Sequence, residues 1–209
     1  MIFTSLPGPA DVDKVALGPD GLVAGISRDA VFFDLSTNSP AVVNKVYAEL
    51  AKAGAHMLDA PVSGGPAGAK SRKLAIWVGG DENVFRERKA VLHAVGGKAT
   101  YIGPIASATV AKLVHNMSGF ALACALAETF SMGVKAGLEP LALWQAVRHG
   151  IVGRRKTFDA VLEQFLPAKY DPAAFALRLG QKDAALAVAL GRELGVSMPI
   201  CDLTLAEMT

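Results

Sequence analysis

Short, largely apolar runs recur along the first half of the chain, with amphipathic segments between them. The apolar runs fall at 2–6, 30–35, 56–59, 74–78 and 99–102, and the amphipathic segments at 10–16, 41–53 and 82–95. Apolar residues at consecutive positions are typical of strands that are buried on both faces of a sheet. Strands separated by helices of about a dozen residues form βαβ units. Residues 1–105 are therefore predicted to form a mostly parallel sheet in an α/β domain.

The second half of the chain carries helical patterns alone. The segment 106–136 has no proline and ends before Gly137, which predicts one long helix. Further helices are predicted at 140–148, 157–166 and 172–194, and residues 203–209 again have a helical pattern. The fold class is thus predicted to be α/β, with a partial Rossmann-type parallel sheet in residues 1–105 and an all-helical domain in residues 106–209.

The composition bears on the classes of partner that the chain could bind. Hydrophobic residues make up 52 % of the 209 residues, and 21 basic residues stand against 19 acidic ones, for a net charge of +2. This balance gives no electrostatic reason to bind nucleic acid or an anionic membrane. The longest apolar run, 120–127, is cut by Glu128 and is too short to span a bilayer. No nucleic-acid partner and no membrane partner are predicted.

Cysteine and histidine usage indicates neither a metal site nor disulfides. Cys124 and Cys201 are isolated in the sequence, and the four histidines show no paired spacing, so no metal site is predicted. Isolated cysteines are typical of reduced thiols in a reducing compartment, and a cytoplasmic location is predicted.

The long helix carries a polar stripe near its beginning. Lys112, His115 and Asn116 stand at i, i+3 and i+4, so they share one face of the helix. Partial burial and the positive end of the helix dipole both disfavour a charged Lys112, and a lysine tuned in this way can act as a general acid or base. A structural interpretation also stays open, in which Lys112 reaches solvent along its apolar stem and His115 is a satisfied core histidine.

Three of the predicted strands end in residues suited to binding a ligand. Leu6-Pro7 follows the first strand, Thr37 the second, and Ser63-Gly64-Gly65 the third. Open parallel sheets bind ligands beyond the carboxyl ends of their strands, and a serine with glycines can hold an anion such as a carboxylate. The same residues are common in ordinary turns, so a structural interpretation remains open for each segment alone.

Together these segments resemble the β-hydroxyacid dehydrogenase family, which includes 3-hydroxyisobutyrate dehydrogenase and tartronate semialdehyde reductase, with 6-phosphogluconate dehydrogenase as a more distant relative. The segment 59–65, Asp-Ala-Pro-Val-Ser-Gly-Gly, is similar to the substrate-binding signature of the family. Lys112 and Asn116 match its Lys-x-x-Asn-Asn element, and Phe175 and the pair 182–183 match its late phenylalanine and Lys-Asp. The resemblance covers the whole chain.

The resemblance implies an NAD- or NADP-dependent oxidoreductase that interconverts a small 3-hydroxy acid, such as 3-hydroxyisobutyrate, and its semialdehyde. It implies that Lys112 is the catalytic acid and base. The implied substrate-binding residues are Ser63, Gly64, Gly65, His115 and Asn116, and the implied cofactor-binding residues are Leu6, Pro7, Thr37, Phe175 and Lys182. A homodimer or homotetramer through the helical half is expected from the resemblance and from the long apolar helix.

The sequence departs from the family pattern in three places. It lacks the Gly-rich phosphate fingerprint, so the resemblance implies an N-terminal truncation that removes about the first third of the nucleotide-binding domain, including the residue that selects NAD or NADP. His115 replaces an asparagine that is frequent in 3-hydroxyisobutyrate members and gives the Lys-x-x-His-Asn form of 6-phosphogluconate dehydrogenase. Arg72 stands where a turn glycine is common.

Two other functions are compatible with the fold. One is a non-catalytic binding or assembly module, and the other is an imine reductase. Retention of Lys112 argues against both, because a scaffold does not need a catalytic lysine and imine reductases of this kind usually replace it.

Overall fold

The computed structural model describes residues 1–154, 161–171, 173, 175–195 and 197–209, with side chains at all of these except 161 and 165. The chain divides into two compact units, Met1–His115 and Asn116–Thr209, which we call the sheet unit and the helical unit and describe separately. The division falls inside one long helix, about ten residues after the boundary predicted from sequence.

The sheet unit alternates strands and helices as the apolar pattern predicts. Its elements are β1 Ile2–Thr4, α1 Pro9–Leu17, α2 Leu22–Gly25, β2 Val31–Asp34, α3 Pro40–Lys52, β3 His56–Asp59, β4 Val62–Ser63, α4 Gly65–Ser71, β5 Ala75–Gly80, α5 Glu82–Val95, β6 Lys98–Gly103 and the first part of α6 Ser107–Lys135. Ser39 caps α3 by accepting a hydrogen bond from the Val42 amide, and Asp81 caps α5. The two-residue strand β4 and the short helices α2 and α4 were not predicted.

The six strands form a mixed sheet in which three of the five pairings are parallel. β1 pairs with β2, β2 with β3, and β5 with β6, all in parallel, whereas β5 runs antiparallel to both β3 and β4. The reversal follows from the connection between β3 and β5, where the chain turns back through α4 to lie beside the strand it has just left. The sequence-based expectation of βαβ units throughout is therefore wrong for this segment.

β3 and β4 pair with β5 one after the other, and a proline lies between the two pairings. β5 pairs with β4 through Val62 and Ser63 and with β3 through Leu58 and Asp59. Between them Pro61 has no N–H to donate, but its carbonyl still accepts a hydrogen bond from the Trp77 amide at 3.2 Å. The interruption separates the two pairings, and Ser63 is the last residue of β4.

The core occupies both faces of the sheet. Phe33 and Leu58 pack with α5 and β5 residues such as Leu92 and Ile76, whereas Phe32 and Met57 pack against α3. All four residues of β2 are buried, which confirms the expectation that consecutive apolar positions mark a strand covered on both faces.

The helical unit consists of the rest of α6 and three further α-helices, among the residues described. These are α7 Pro140–His149, α8 Leu177–Glu193 and α9 Pro199–Glu207, and a short π-helical segment spans Val161–Phe165. The helix predicted at 157–166 falls partly outside the described residues. The helix predicted at 172–194 begins later than expected, at Leu177, because the backbone is still extended at Ala176.

α6 contains a stretch long and apolar enough to cross a membrane by length and composition, which the interrupted run 120–127 did not suggest. Its mean hydropathy is 1.4 over the qualifying window, of which 22 % is buried. One such helix is weak evidence for a membrane span, because core helices of soluble proteins pass the same test.

Candidate active site

A buried carboxylate fixes the beginning of α6 to the end of β3. Asp59 is 1 % exposed and accepts hydrogen bonds from the Ala106 amide at 2.9 Å and from the Thr109 amide and hydroxyl at 2.7 and 2.9 Å. A negative group is stabilised at a helix N-terminus by the free amides and the helix dipole. Because Lys112 follows Thr109 by one turn, this contact sets the position of Lys112 relative to the sheet.

The contact between Asp59 and α6 requires a glycine on β5. A Cβ atom at Gly79 would lie 2.4 Å from Asp59 Oδ1 and 2.9 Å from the Pro104 carbonyl oxygen. Any side chain here would push the carboxylate away from the helix. Burial raises the pKa of Asp59, and the hydrogen bonds from Thr109 and Ala106 act in the opposite direction.

Ser63 and His115, which the sequence places 52 positions apart, meet in the sheet unit. Ser63 Oγ lies 3.1 Å from His115 Nε2, within hydrogen-bond distance. The imidazole also lies beside Trp77, with ring centroids 5.0 Å apart and the planes tilted by 54°. Lys112, one turn earlier on α6, is 8 % exposed. Ser63 and His115, both implied by the resemblance to bind the substrate, thus lie within hydrogen-bond distance of each other.

The surroundings of His115 favour a neutral imidazole. Partial burial lowers its pKa, and the positive charge of Lys112 lowers it further. The interpretation of His115 as a satisfied core histidine is wrong, because the side chain is exposed and contacts a serine and a tryptophan.

The segment after Ser63 has the backbone of a tight turn. Gly64 has φ 135° and Gly65 has φ 58°, and both are exposed. Arg72, at the end of α4, has φ 56° and ψ 34°, a left-handed conformation that glycine adopts more easily. The resemblance places a glycine at this position, and glycine adopts the left-handed backbone without strain. Arg72 adopts the same backbone conformation with some strain.

The loops that follow β1 and β2 are joined at the sheet edge where cofactor contacts were predicted. The Leu6 amide donates a hydrogen bond to Ser36 Oγ at 2.9 Å. Asp34, 1 % exposed, accepts from the Ser36 amide at 3.0 Å, Asn38 Nδ2 at 2.8 Å and Thr4 Oγ1 at 3.0 Å. This network places the Leu6-Pro7 loop next to the loop that carries Thr37.

A second cluster lies within the helical unit. Asn116 Nδ2 donates a hydrogen bond to Asp183 Oδ2 at 2.5 Å, and Lys182 Nζ lies 2.6 Å from Asp183 Oδ1. Asp183 is 3 % exposed, and these two polar groups of the same unit contact its carboxylate. A buried carboxylate needs such partners. Phe175 precedes α8, is 51 % exposed, and stacks on Phe120 with ring centroids 6.2 Å apart.

Several positioning residues had no role in the sequence-based prediction. Asp34 and Trp77 belong to no family signature quoted above, and Asp59 was noted only as the first residue of the 59–65 segment. A carboxylate at the end of an apolar strand is the one signal that could have drawn attention to Asp34 and Asp59. In the parts of the chain that the structure describes, no group of three His, Cys, Asp or Glu side chains could hold a metal ion.

Family models match nearly the whole chain. The NAD binding domain of 6-phosphogluconate dehydrogenase matches residues 1–103, and the NAD-binding domain of NADP-dependent 3-hydroxyisobutyrate dehydrogenase matches residues 106–208. The 3-hydroxyisobutyrate dehydrogenase of Pseudomonas aeruginosa is 31 % identical over 205 residues, covering 96 % of this chain and 69 % of that protein. The chain belongs to the β-hydroxyacid dehydrogenase family. Its fold class, a Rossmann-like sheet followed by a helical part, is confirmed, and its cofactor is NAD or NADP.

Other members support this membership of an NAD(P)-dependent enzyme family. The 2-(hydroxymethyl)glutarate dehydrogenase of Eubacterium barkeri is 34 % identical over 200 residues, covering 96 % of this chain and 66 % of that protein. A crystal structure of Mycobacterium tuberculosis 3-hydroxyisobutyrate dehydrogenase with L-serine has a TM-score of 0.84 at 28 % identity, covering 99 % of this chain and 72 % of that one. The chain thus spans about two thirds of the length of these curated relatives.

Proposed function

We propose that this protein is an NAD(P)-dependent dehydrogenase that interconverts a small 3-hydroxy acid and its semialdehyde. The observation that carries the proposal is the 3.1 Å contact between Ser63 Oγ and His115 Nε2, with the buried Lys112 one turn earlier on the same helix. A hydroxyl and an imidazole next to a lysine supply an anion anchor and a proton acceptor. 3-Hydroxyisobutyrate and 2-(hydroxymethyl)glutarate, named in two relatives, both carry a hydroxymethyl group on the carbon next to a carboxylate.

Each site residue has a chemical role in this proposal. Ser63, with the Gly64-Gly65 turn, holds the substrate carboxylate, and His115 orients Ser63. Lys112 takes the proton of the substrate hydroxyl in the oxidation direction and returns it in reduction. Asn116 orients that hydroxyl, and its own amide is fixed by Asp183. Because Asp59 holds the first turn of α6, Lys112 does not have to be ordered when the substrate arrives.

The residues proposed to hold the cofactor fit a nicotinamide dinucleotide. Leu6, Pro7 and Thr37 lie in two loops joined at the carboxyl ends of parallel strands, where such folds bind dinucleotides. Phe175 exposes half of its ring and can cover a flat aromatic group, and Lys182 adds a positive charge. When bound, the nicotinamide exchanges a hydride with the carbon that bears the hydroxyl.

The test is turnover with a panel of 3-hydroxy acids and semialdehydes, each with NAD and NADP, followed by the Ser63→Ala variant. An anchoring contact is present in both ground and transition states, so Ser63→Ala should raise KM for the acid more than it lowers kcat. Ser71→Ala is the matched control, because its hydroxyl binds only backbone carbonyls of α4. Turnover of imines but not of semialdehydes would favour the imine reductase alternative, and no turnover at all would favour a binding module.

We also infer that the protein is a homodimer or homotetramer assembled through its helical unit. Large apolar side chains are exposed there, including Met132, Leu177, Leu194, Ile200 and Leu203, each more than 60 % exposed. Contiguous apolar area is typical of interaction surfaces, and these side chains would supply it. Light scattering after size-exclusion chromatography tests this, and Leu203→Glu should lower the mass if α9 contributes to the interface. The cytoplasmic location stays a prediction.

A further inference from the structure

We propose that the Ser63–His115 pair takes up one proton when a carboxylate binds beside it, so that substrate binding by this protein is linked to pH. The inference rests on the proposed function, in which Ser63 is the carboxylate anchor. It adds a specific role for His115, which stands where 3-hydroxyisobutyrate members often carry an asparagine that cannot titrate.

The Ser63–His115 pair has few hydrogen-bond donors to offer a carboxylate. A serine hydroxyl has one proton to donate. When His115 Nε2 is unprotonated, that proton is used in the 3.1 Å contact between Ser63 Oγ and Nε2. An imidazolium donates from both ring nitrogens, so protonation reverses this hydrogen bond and frees the Ser63 proton for an incoming carboxylate. The carboxylate then gains a donor and a nearby positive charge in the same step.

The imidazole of His115 contacts one side chain from each of two strands. β4 presents the Ser63 hydroxyl and β5 presents the Trp77 ring at 5.0 Å, and neither of these groups is charged. The charged group that acts on His115 comes from its own helix, where Lys112 disfavours a second positive charge. Without ligand the imidazole is therefore neutral near pH 7. A bound carboxylate offsets the repulsion from Lys112, and the face of Trp77 can stabilise the cation.

The consequence is a pH-dependent affinity with a defined sign. If the complex holds a proton that the free protein lacks, affinity for the anion rises as pH falls through the interval between the two pKa values of His115. Within that interval the dissociation constant should fall about tenfold for each unit by which the pH is lowered. An uncharged substrate analogue provides no carboxylate and should show no such dependence.

Isothermal titration calorimetry of the protein with 3-hydroxyisobutyrate tests the proposal. Titrations in buffers of different ionisation enthalpy give the number of protons exchanged. The range of about pH 5.5 to 8.5 keeps a carboxylic acid ionised. Wild type and the His93→Asn control should take up a proton on binding, and His115→Asn should take up none. The NMR signal of the His115 ring, assigned by its absence from His115→Asn, should move toward the imidazolium position when the acid is added at constant pH.

The outcomes separate this inference from the proposed function. If the acid binds in a Ser63-dependent way and its methyl ester does not, but wild type and His115→Asn exchange equal numbers of protons, proton uptake by His115 is wrong and the carboxylate anchor stands. If the acid and the ester bind equally to wild type and Ser63→Ala, or if the acid does not bind, both proposals are overturned. Proton uptake that disappears only in His115→Asn supports both.

Discussion

The two units of this protein stabilise themselves in different ways. The sheet unit contains all of the largest fully buried side chains, including Phe32, Phe33 and Leu58, whereas the helical unit contributes most of the large apolar side chains that are exposed in the described residues. A helix pair buries only one stripe of each helix, while a sheet covered by helices buries two faces. The first unit thus has a complete core of its own, whereas the second leaves large apolar side chains exposed.

The units also hold their polar site residues differently. In the sheet unit, Asp59 fixes α6 through two backbone amides and one hydroxyl at a helix N-terminus. In the helical unit, Asp183 is held by the side chains of Asn116 and Lys182. Backbone donors are fixed by the secondary structure, whereas long side chains lose rotamer entropy when they are ordered. The frame around Lys112 is accordingly the more rigid of the two.

The largest effect should come from replacing one lysine in each unit by methionine. Lys112→Met should lower kcat by about 10²–10⁴-fold, because general acid–base catalysis typically contributes that much. Lys182→Met should mainly raise KM for the cofactor, since the proposal gives this residue a binding role. Steady-state turnover at saturating substrate and varied cofactor concentration gives kcat and KM for the cofactor, and Lys135→Met, at the end of the same helix as Lys112, serves as the control. If Lys112→Met and Lys182→Met lowered kcat equally, the roles assigned to the two lysines would be contradicted.

The next largest effect concerns the stability contributed by a buried leucine of the sheet unit and by an exposed leucine of the helical unit. Leu58→Ala should lower the free energy of unfolding by about 2–5 kcal/mol, because it removes a fully buried side chain and leaves a cavity. Leu203→Ala, at a residue that is 67 % exposed, should change it by about 0.5 kcal/mol or less in a monomer. Urea unfolding at several protein concentrations is the measurement. A concentration-dependent loss at Leu203 alone would place that residue in an oligomer interface.

A smaller effect is expected at the contact between β3 and α6. Asp59→Asn should destabilise the protein by about 1–3 kcal/mol, because the amide cannot accept from donors on both of its terminal atoms and a buried donor loses its partner. Burial raises the pKa of Asp59 above 3.8, so the folded state holds this proton more tightly than the unfolded state does. Raising the pH through the interval between the unfolded-state and the folded-state pKa of Asp59 therefore lowers the stability of wild type but not of the variant.

Urea unfolding at a series of pH values from about 3.8 upward checks this prediction, because the pKa of Asp59 is raised from 3.8 in the folded state. The difference between wild type and Asp59→Asn should narrow as the pH rises. A difference that widens would mean that the hydrogen bonds from α6 outweigh the effect of burial, and that Asp59 is ionised more easily in the folded state. Asp81→Asn, at an exposed helix cap on α5, is the matched control.

The smallest effect tests the coupling between the charges in the sheet unit. Lys112→Met should raise the pKa of His115, because it removes the positive charge that lowers it while burial continues to act. NMR titration of the His115 ring in wild type and variant measures the change, with His93 as an internal reference. An unchanged pKa would show that burial alone keeps the imidazole neutral.

Local pattern was enough to predict most elements and the family. The strand at 56–59 and the helix at 82–95 have the bounds predicted for them, and the other strands that were predicted differ by two residues or fewer at either end. These elements are determined locally, because apolar periodicity, a capping serine or aspartate and a following glycine act within a few residues. Lys112, Ser63 and Asn116 were predicted as site residues for a related reason, since each lies in a short signature.

The direction of β5 and the partners of the site residues depend on contacts between segments distant in sequence. Nothing near residue 75 shows that β5 runs antiparallel to β3, because direction depends on how the chain turns through α4. The meeting of Ser63 with His115, the placement of Trp77 beside them and the hold of Asp59 on Thr109 join residues separated by dozens of positions. Spacing along a chain specifies which residues share a helix face, whereas only the packed sheet and helix bring such faces within hydrogen-bond distance.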